Sequence, residues 1–355
     1  MRIFITGILV AFALGFYGAD SNAVETRQDD MFVPNQEDLM NSLHGTAGGM
    51  RYFFEREDGM GPLTGINYDD LGCKNCHVPE EDSCATCHDT NLEESIESCE
   101  ACHGRRVKTR ALGISDVHAI DNNMLCWDCH SSEEIHGDGT ELNSMLEPSP
   151  FDIECSDCHN DLSSSYAHDV HTSSLECQAC HVETVITCYN CHFDTMVNEG
   201  VKKPHGVQKD FVLLVNDERS GKINTGSYQS VYYQGQSFVI FAPFNGHSVS
   251  PNARSCEDCH ANDNVQHFME NGSVELTTWE GDSLNHRNGA IPLVGDMQLK
   301  YLDYDGETDT WSLAKETTDQ VQYGFCEPLT SEQLEKMAMP MQEDGSGVEN
   351  WPEYK

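Results

Sequence analysis

Sixteen of the seventeen cysteines in this chain fall into eight copies of Cys-x-x-Cys-His. The pairs are Cys73 and Cys76, Cys84 and Cys87, Cys99 and Cys102, Cys126 and Cys129, Cys155 and Cys158, Cys177 and Cys180, Cys188 and Cys191, and Cys256 and Cys259. His77, His88, His103, His130, His159, His181, His192 and His260 close them in the same order. Two thiols three positions apart add across the vinyl groups of one haem, and the residue that follows brings its imidazole beneath the iron. The pattern predicts eight covalently attached c-type haems. A disulfide framework would not need a histidine after every second cysteine. Paired zinc knuckles would leave that histidine without a role. Cys326 alone lies outside any motif and reads as a buried, incidental thiol.

The chain has seventeen histidines, and eight close motifs, which leaves nine. These are His44, His118, His136, His168, His171, His205, His247, His267 and His286. Eight irons with imidazole on both sides need eight such ligands, so the supply covers the demand with one to spare. His168 and His171 are three apart and share a helical face, yet can serve different haems. Spacing does not single out the surplus histidine; His44 and His286, nearest the ends of the chain, are the least secure of the nine. An iron with two imidazoles is low-spin and saturated: it passes electrons and offers no position to a substrate.

The elements that position these residues divide the chain unevenly. Residues 1–23 read as a signal peptide, with Met1-Arg2, an uncharged apolar stretch from Ile3 to Tyr17, and cleavage expected after Ala23. Residues 24–72 are a polar, glycine-containing lead-in. Residues 73–206 carry seven motifs whose first cysteines are 11, 15, 27, 29, 22 and 11 positions apart. Such gaps hold short helices and turns and no ordinary apolar core, so haem is expected to be the core there. Residues 207–255 are a β-rich insert, and residues 256–355 hold the eighth motif with a C-terminal hairpin and helix. In that insert Phe211 to Val215 reads as a strand, and Tyr228–Tyr233 and Ser237–Ala242 flank Gln234-Gly235 as a hairpin. Leu299–Asp303 and Thr310–Leu313 predict another, with Asp303, Asp305, Glu307 and Asp309 as a solvated turn. Ser331 to Met339 predicts a helix stopped by Pro340. The fold class is thus a mostly irregular, haem-cored chain with short helices and small β-hairpins around 211–242 and 299–313.

Lys and Arg number 20 against 60 Asp and Glu, a net charge of −40 before any propionate is added. Nucleic acid and anionic lipid are poor partners for such a surface. A basic redox protein, or a metal or mineral acceptor, suits it better. No stretch beyond the leader reaches membrane length, so the expectation is a periplasmic or extracellular protein with no span in its mature form.

On these eight motifs the chain resembles the multihaem cytochrome c superfamily. Its closely spaced, all-histidine motifs and leader are similar to those of secreted or periplasmic electron-transfer cytochromes, some of which form filaments. That resemblance implies respiratory or extracellular electron transfer through bis-histidine haems, with self-assembly through a histidine such as His44 as one form of it. A second resemblance, to octahaem tetrathionate reductase-like enzymes, implies one open haem acting on a small sulfur or nitrogen oxyanion. Lysines outside the motif cap the active haem in those enzymes, and Lys202, Lys203 and Lys209 lie in the corresponding region. Arg105, Arg106, Lys108 and Arg110 form a basic cluster expected to pair with haem propionates.

Overall fold

The computed structural model describes residues 36–46, 48–72, 83–88, 95–142, 144 and 153–342. The expected leader and the first motif, with Cys73, Cys76 and His77, lie outside the described residues.

Two kinds of packing divide the molecule. The first is a mixed eight-stranded sheet. Its path runs from Val185–Tyr189 through Gly206–Asp217, Ile223–Tyr233 and Gln236–Pro243 to Gln320–Tyr323. The first three pairings along it are antiparallel and the last is parallel. The Phe211–Val215 run occupies the middle of this sheet and is buried throughout. An uninterrupted apolar run is what a strand needs when both of its faces are covered. The predicted hairpin pairs Tyr233 with Gln236 across a two-residue loop. Gln234 and Gly235 there have φ of +48° and +86°, the left-handed pair that matches the twist of the flanking strands. The second hairpin pairs Tyr301–Asp305 with Thr310–Lys315.

The sheet is larger than two isolated hairpins. Gly289–Pro292 runs parallel to Gly206–Asp217, and Cys326–Glu327 joins the same strand antiparallel. These are two- to four-residue segments, too short to show alternation, and their partners lie far away in sequence. Leu293, Leu299 and Tyr301 complete an ordinary apolar core with Tyr189, Phe211 and Phe241. The C-terminal helix Ser331–Ala338 closes this core with Leu334 and Met337. Thr330 caps it in a capping box with Gln333.

The second kind of packing holds from Ser83 to His171. Ile114 is the one buried apolar side chain there among the described residues. Leu112, Ile120, Leu125, Trp127, Ile153, Leu162, Tyr166 and Val170 are all exposed. The chain makes short helices joined by turns, as its motif spacing predicts. The N-terminal helix Gly48–Glu55 returns to the sheet edge, where Phe53 packs 4.7 Å from Phe325. Gln322 Nε2 donates to the Phe53 carbonyl at 2.9 Å, and Gln320 Nε2 to that of Gly59 at 3.0 Å. Gly324 is required beneath this helix, since a Cβ there would lie 2.4 Å from Phe53 Cε1.

Candidate haem-binding site

Most motifs share one local design. The His88 amide donates to the Cys84 carbonyl at 2.9 Å, and His103 to Cys99 at 3.0 Å. His130 does so to Cys126 and His159 to Cys155, both at 2.9 Å, and His260 to Cys256 at 2.7 Å. Cys177–His181 is itself a helix. A helical turn puts both thiols and the imidazole on one side of the chain. Motif seven departs from this. Cys188 lies within the Val185–Tyr189 strand, Asn190 has φ of +47°, and Cys191–His192 is a second short strand. The His192 amide donates to Lys203 O at 2.8 Å instead.

Six motif histidines each face a histidine from outside the motifs. The ring centres are 6.3 Å apart for His103 and His44, and 6.0 Å for His88 and His136. They are 6.0 Å apart for His159 and His118, and 6.4 Å for His130 and His247. The remaining two pairs are His181 with His168 at 6.4 Å and His260 with His171 at 6.3 Å. A metal–imidazole bond of about 2 Å, added to about 1.1 Å from Nε2 to the ring centre, puts two opposed ligands about 6.3 Å apart. The observed spacing is therefore that of two imidazoles bridged by one iron, and too wide for ring stacking.

The second ring nitrogen is held in several of these residues. His136 Nδ1 lies 2.8 Å from Ser132 O, His168 Nδ1 2.7 Å from Ser163 O, and His181 Nδ1 3.0 Å from Ser250 O. His260 Nδ1 lies 3.0 Å from Lys336 O, and His130 Nδ1 2.9 Å from Glu134 Oε1. An Nδ1–H committed to a carbonyl or carboxylate leaves the Nε2 lone pair for a metal. Burial first, and then neighbouring imidazoles, lower the pKa of His44, His103 and His171. Burial and then Arg106 do the same to His247. All four are held in the neutral, ligating form. The hydrogen bond that His130 donates to Glu134 raises its own pKa.

The structure sets His44, one of the two least secure candidates, opposite His103. His205, His267 and His286 face no motif histidine among the described residues. His205 packs edge-on to Trp311, His267 lies near Asn271, and His286 against Phe211. Nor does His192 face an imidazole among the described residues. Its ring lies 5.3 Å from Tyr304 and 6.4 Å from Trp311. Its Nε2 is 3.7 Å from Asp194 Oδ2 and 3.8 Å from Asp303 Oδ1. Position in the chain carries no signal for this distinction, since all eight motifs share one consensus.

Neighbouring cysteines order the motifs. Cys87 lies near Cys99, and the thiols of Cys99 and Cys126 interact directly. Cys129 lies near Cys158, and Cys155 interacts with Cys177. Cys180 then lies near Cys256 and Cys259. Motifs two, three, four, five, six and eight thus form one line. Motif seven sits beside it, its cysteines near the Arg105 guanidinium that follows motif three.

The basic cluster is divided. Arg110 pairs with Glu100 at 2.5 Å, and Arg105 stacks 4.7 Å over Phe244. Arg106 Nη1 is buried without an acceptor, near His247. A buried guanidinium nitrogen with an open donor suits a carboxylate such as a haem propionate. Lys203, a candidate cap, instead places Nζ 2.5 Å from Tyr304 Oη and 3.1 Å from Asp309 Oδ1. Lys209 is tied to Asp210 at 2.7 Å. Cys326 is fully buried, and burial pushes its thiol up to about 12.

The donor set fits haem on three counts: the imidazole spacing, the open buried cation, and the exposed apolar surface that flat macrocycles would cover. Among the described residues no three His, Cys, Asp or Glu side chains gather around a common metal position, and no helix is long and apolar enough to cross a membrane. No family model matches the sequence, and no curated protein matches it. Among solved structures the chain is similar to the octaheme cytochrome c from Shewanella oneidensis. The identity is 16%, over 63% of this chain and 87% of that one, with a TM-score of 0.43. No residue role is carried across at that distance.

Proposed function

We propose that the chain is an exported octahaem c-type cytochrome that transfers electrons by hopping along closely spaced, mainly bis-histidine haems. The observation that carries this reading is the set of six opposed imidazole pairs, each joining a motif histidine to one outside the motifs. When bound, each haem supplies a one-electron iron couple and an apolar macrocycle. The paired histidines would fill both axial positions, which suits electron passage and excludes substrate from those irons. Carbonyl and carboxylate acceptors at Nδ1 hold the imidazoles in the ligating tautomer and make them better donors. The linear order of six motifs supports a path from Cys84 to Cys259.

The acidic chain favours a cationic redox protein or a metal or mineral acceptor outside the cytoplasm. Respiratory or extracellular electron transfer is the role we assign, with filament formation as a further form of it. The test is a haem count with low-temperature EPR of the fully oxidised protein. Eight haems, with low-spin ferric signals from at least six, are expected. Fewer than six low-spin haems would overturn the reading.

A further inference from the structure

Motif seven differs from every other described motif in two independent ways. Its backbone is strand, left-handed turn and strand, with the His192 amide bonded to Lys203 O. Elsewhere the histidine amide closes a helical turn onto the first cysteine. In addition, His192 faces Tyr304, Trp311 and two carboxylates, where the other described motif histidines face an imidazole. The three histidines that face no motif histidine among the described residues have other neighbours. His205 just precedes the Gly206–Asp217 strand, its amide bonded to Tyr189 O, and its ring lies 5.3 Å from Trp311, which the His192 ring meets at 6.4 Å. His267 and His286 lie against Asn271 and Phe211.

The motif nonetheless suits a haem. Cys188 and Cys191 keep the three-residue spacing that haem attachment needs, and Arg105, a deeply buried cation, lies near both thiols. His192 is 12% exposed, and its Nδ1 is buried without a partner. Among the described motifs it stands beside motif three, off the line of six.

We infer that motif seven holds a haem whose second axial position receives no histidine from this chain and takes a small exogenous ligand. This rests on the haem loading proposed above. The ligand class is a compact σ-donor, uncharged or singly negative. Asp194 and Asp303, 3.7 and 3.8 Å from His192 Nε2, oppose a dianion. Electrons arriving along the line of six would reach such a ligand through motif three.

The test uses the full, haem-loaded, oxidised protein and potassium cyanide as probe, followed by low-temperature EPR. The expected result is a high-spin ferric signal worth one haem, converted by one equivalent of cyanide to a low-spin signal, with the others unchanged. Eight haems that are all low-spin and silent to cyanide would overturn the inference and leave the carrier reading standing. A count of seven haems, with motif seven empty by peptide mass, would also overturn it. Fewer than six low-spin haems would overturn the carrier reading itself. The double variant Cys188→Ala/Cys191→Ala should abolish the cyanide-responsive signal, while Cys155→Ala/Cys158→Ala should keep it. Survival of the signal without motif seven would refute the assignment. If the first variant fails to fold, Asp303→Asn serves instead, because that side chain is half exposed. Removing its charge should tighten cyanide at least about threefold, and an unchanged affinity would count against motif seven as the site.

Discussion

A single hydrogen bond distinguishes His130 from the other paired histidines. Its Nδ1 meets the Glu134 carboxylate, whereas His136, His168, His181 and His260 meet carbonyl oxygens. A charged acceptor gives the imidazole more anionic character and stabilises the oxidised iron. Glu134→Gln should therefore raise the potential of the fourth haem by about 60 mV, a tenfold shift in a one-electron equilibrium. Redox titration with EPR detection of individual haems would measure it. Cys326 offers a second test at this scale. With sixteen cysteines held as thioethers, it would be the one free thiol, and burial keeps it protonated. Iodoacetamide should label no thiol in the native protein and one after denaturation.

Individual elements owe their stability to the sheet. Asp217 is buried at the end of the Gly206–Asp217 strand. Burial alone would raise its pKa, but hydrogen bonds from Arg219 and Asn224 outweigh it and hold the group below the ordinary value of 3.8. A depressed pKa means stability present above that value and lost as pH falls through the folded one. Asp217→Asn should cost about 2 kcal/mol at neutral pH, shrinking in strong acid where both side chains are uncharged. Urea midpoints at the two pH values check it. Gly324→Val should drive a side chain into Phe53 and cost about 2 kcal/mol by loosening the Gly48–Glu55 helix from the sheet. The hairpin at Gln234-Gly235 and the helix after Thr330 were legible in sequence, because turn and cap chemistry is local. The sheet that joins them was not. Gly289–Pro292 and Cys326–Glu327 reach the Gly206–Asp217 strand only through contacts distant in sequence. The site divides in the same way: consensus names the motif histidines, while the choice of His44 for His103, and of none for His192, is tertiary.

At the scale of the whole molecule, charge sets the redox and binding behaviour. With the haems proposed above in place, an excess of 40 negative charges would stabilise the oxidised, more positive irons. The bis-histidine couples should therefore titrate well below those of His/Met cytochromes, and a titration dominated by strongly positive potentials would refute the carrier reading. Association with a basic redox partner should weaken steeply between low and physiological salt, as stopped-flow rates would register. The division between a sheet with its own apolar core and a stretch without one also has a consequence for biogenesis. From Ser83 to His171 little apolar surface is buried, so the thiols of motifs two to five would stay open to an attachment enzyme after the sheet has formed. Cys191 is instead sewn into the sheet, its strand zipped alongside Val231 and Tyr232. An enzyme that must grasp both of its thiols can do so only before the strands close. On the haem loading proposed above, motif seven would be filled before the sheet closes, while motifs two to five could be filled afterwards.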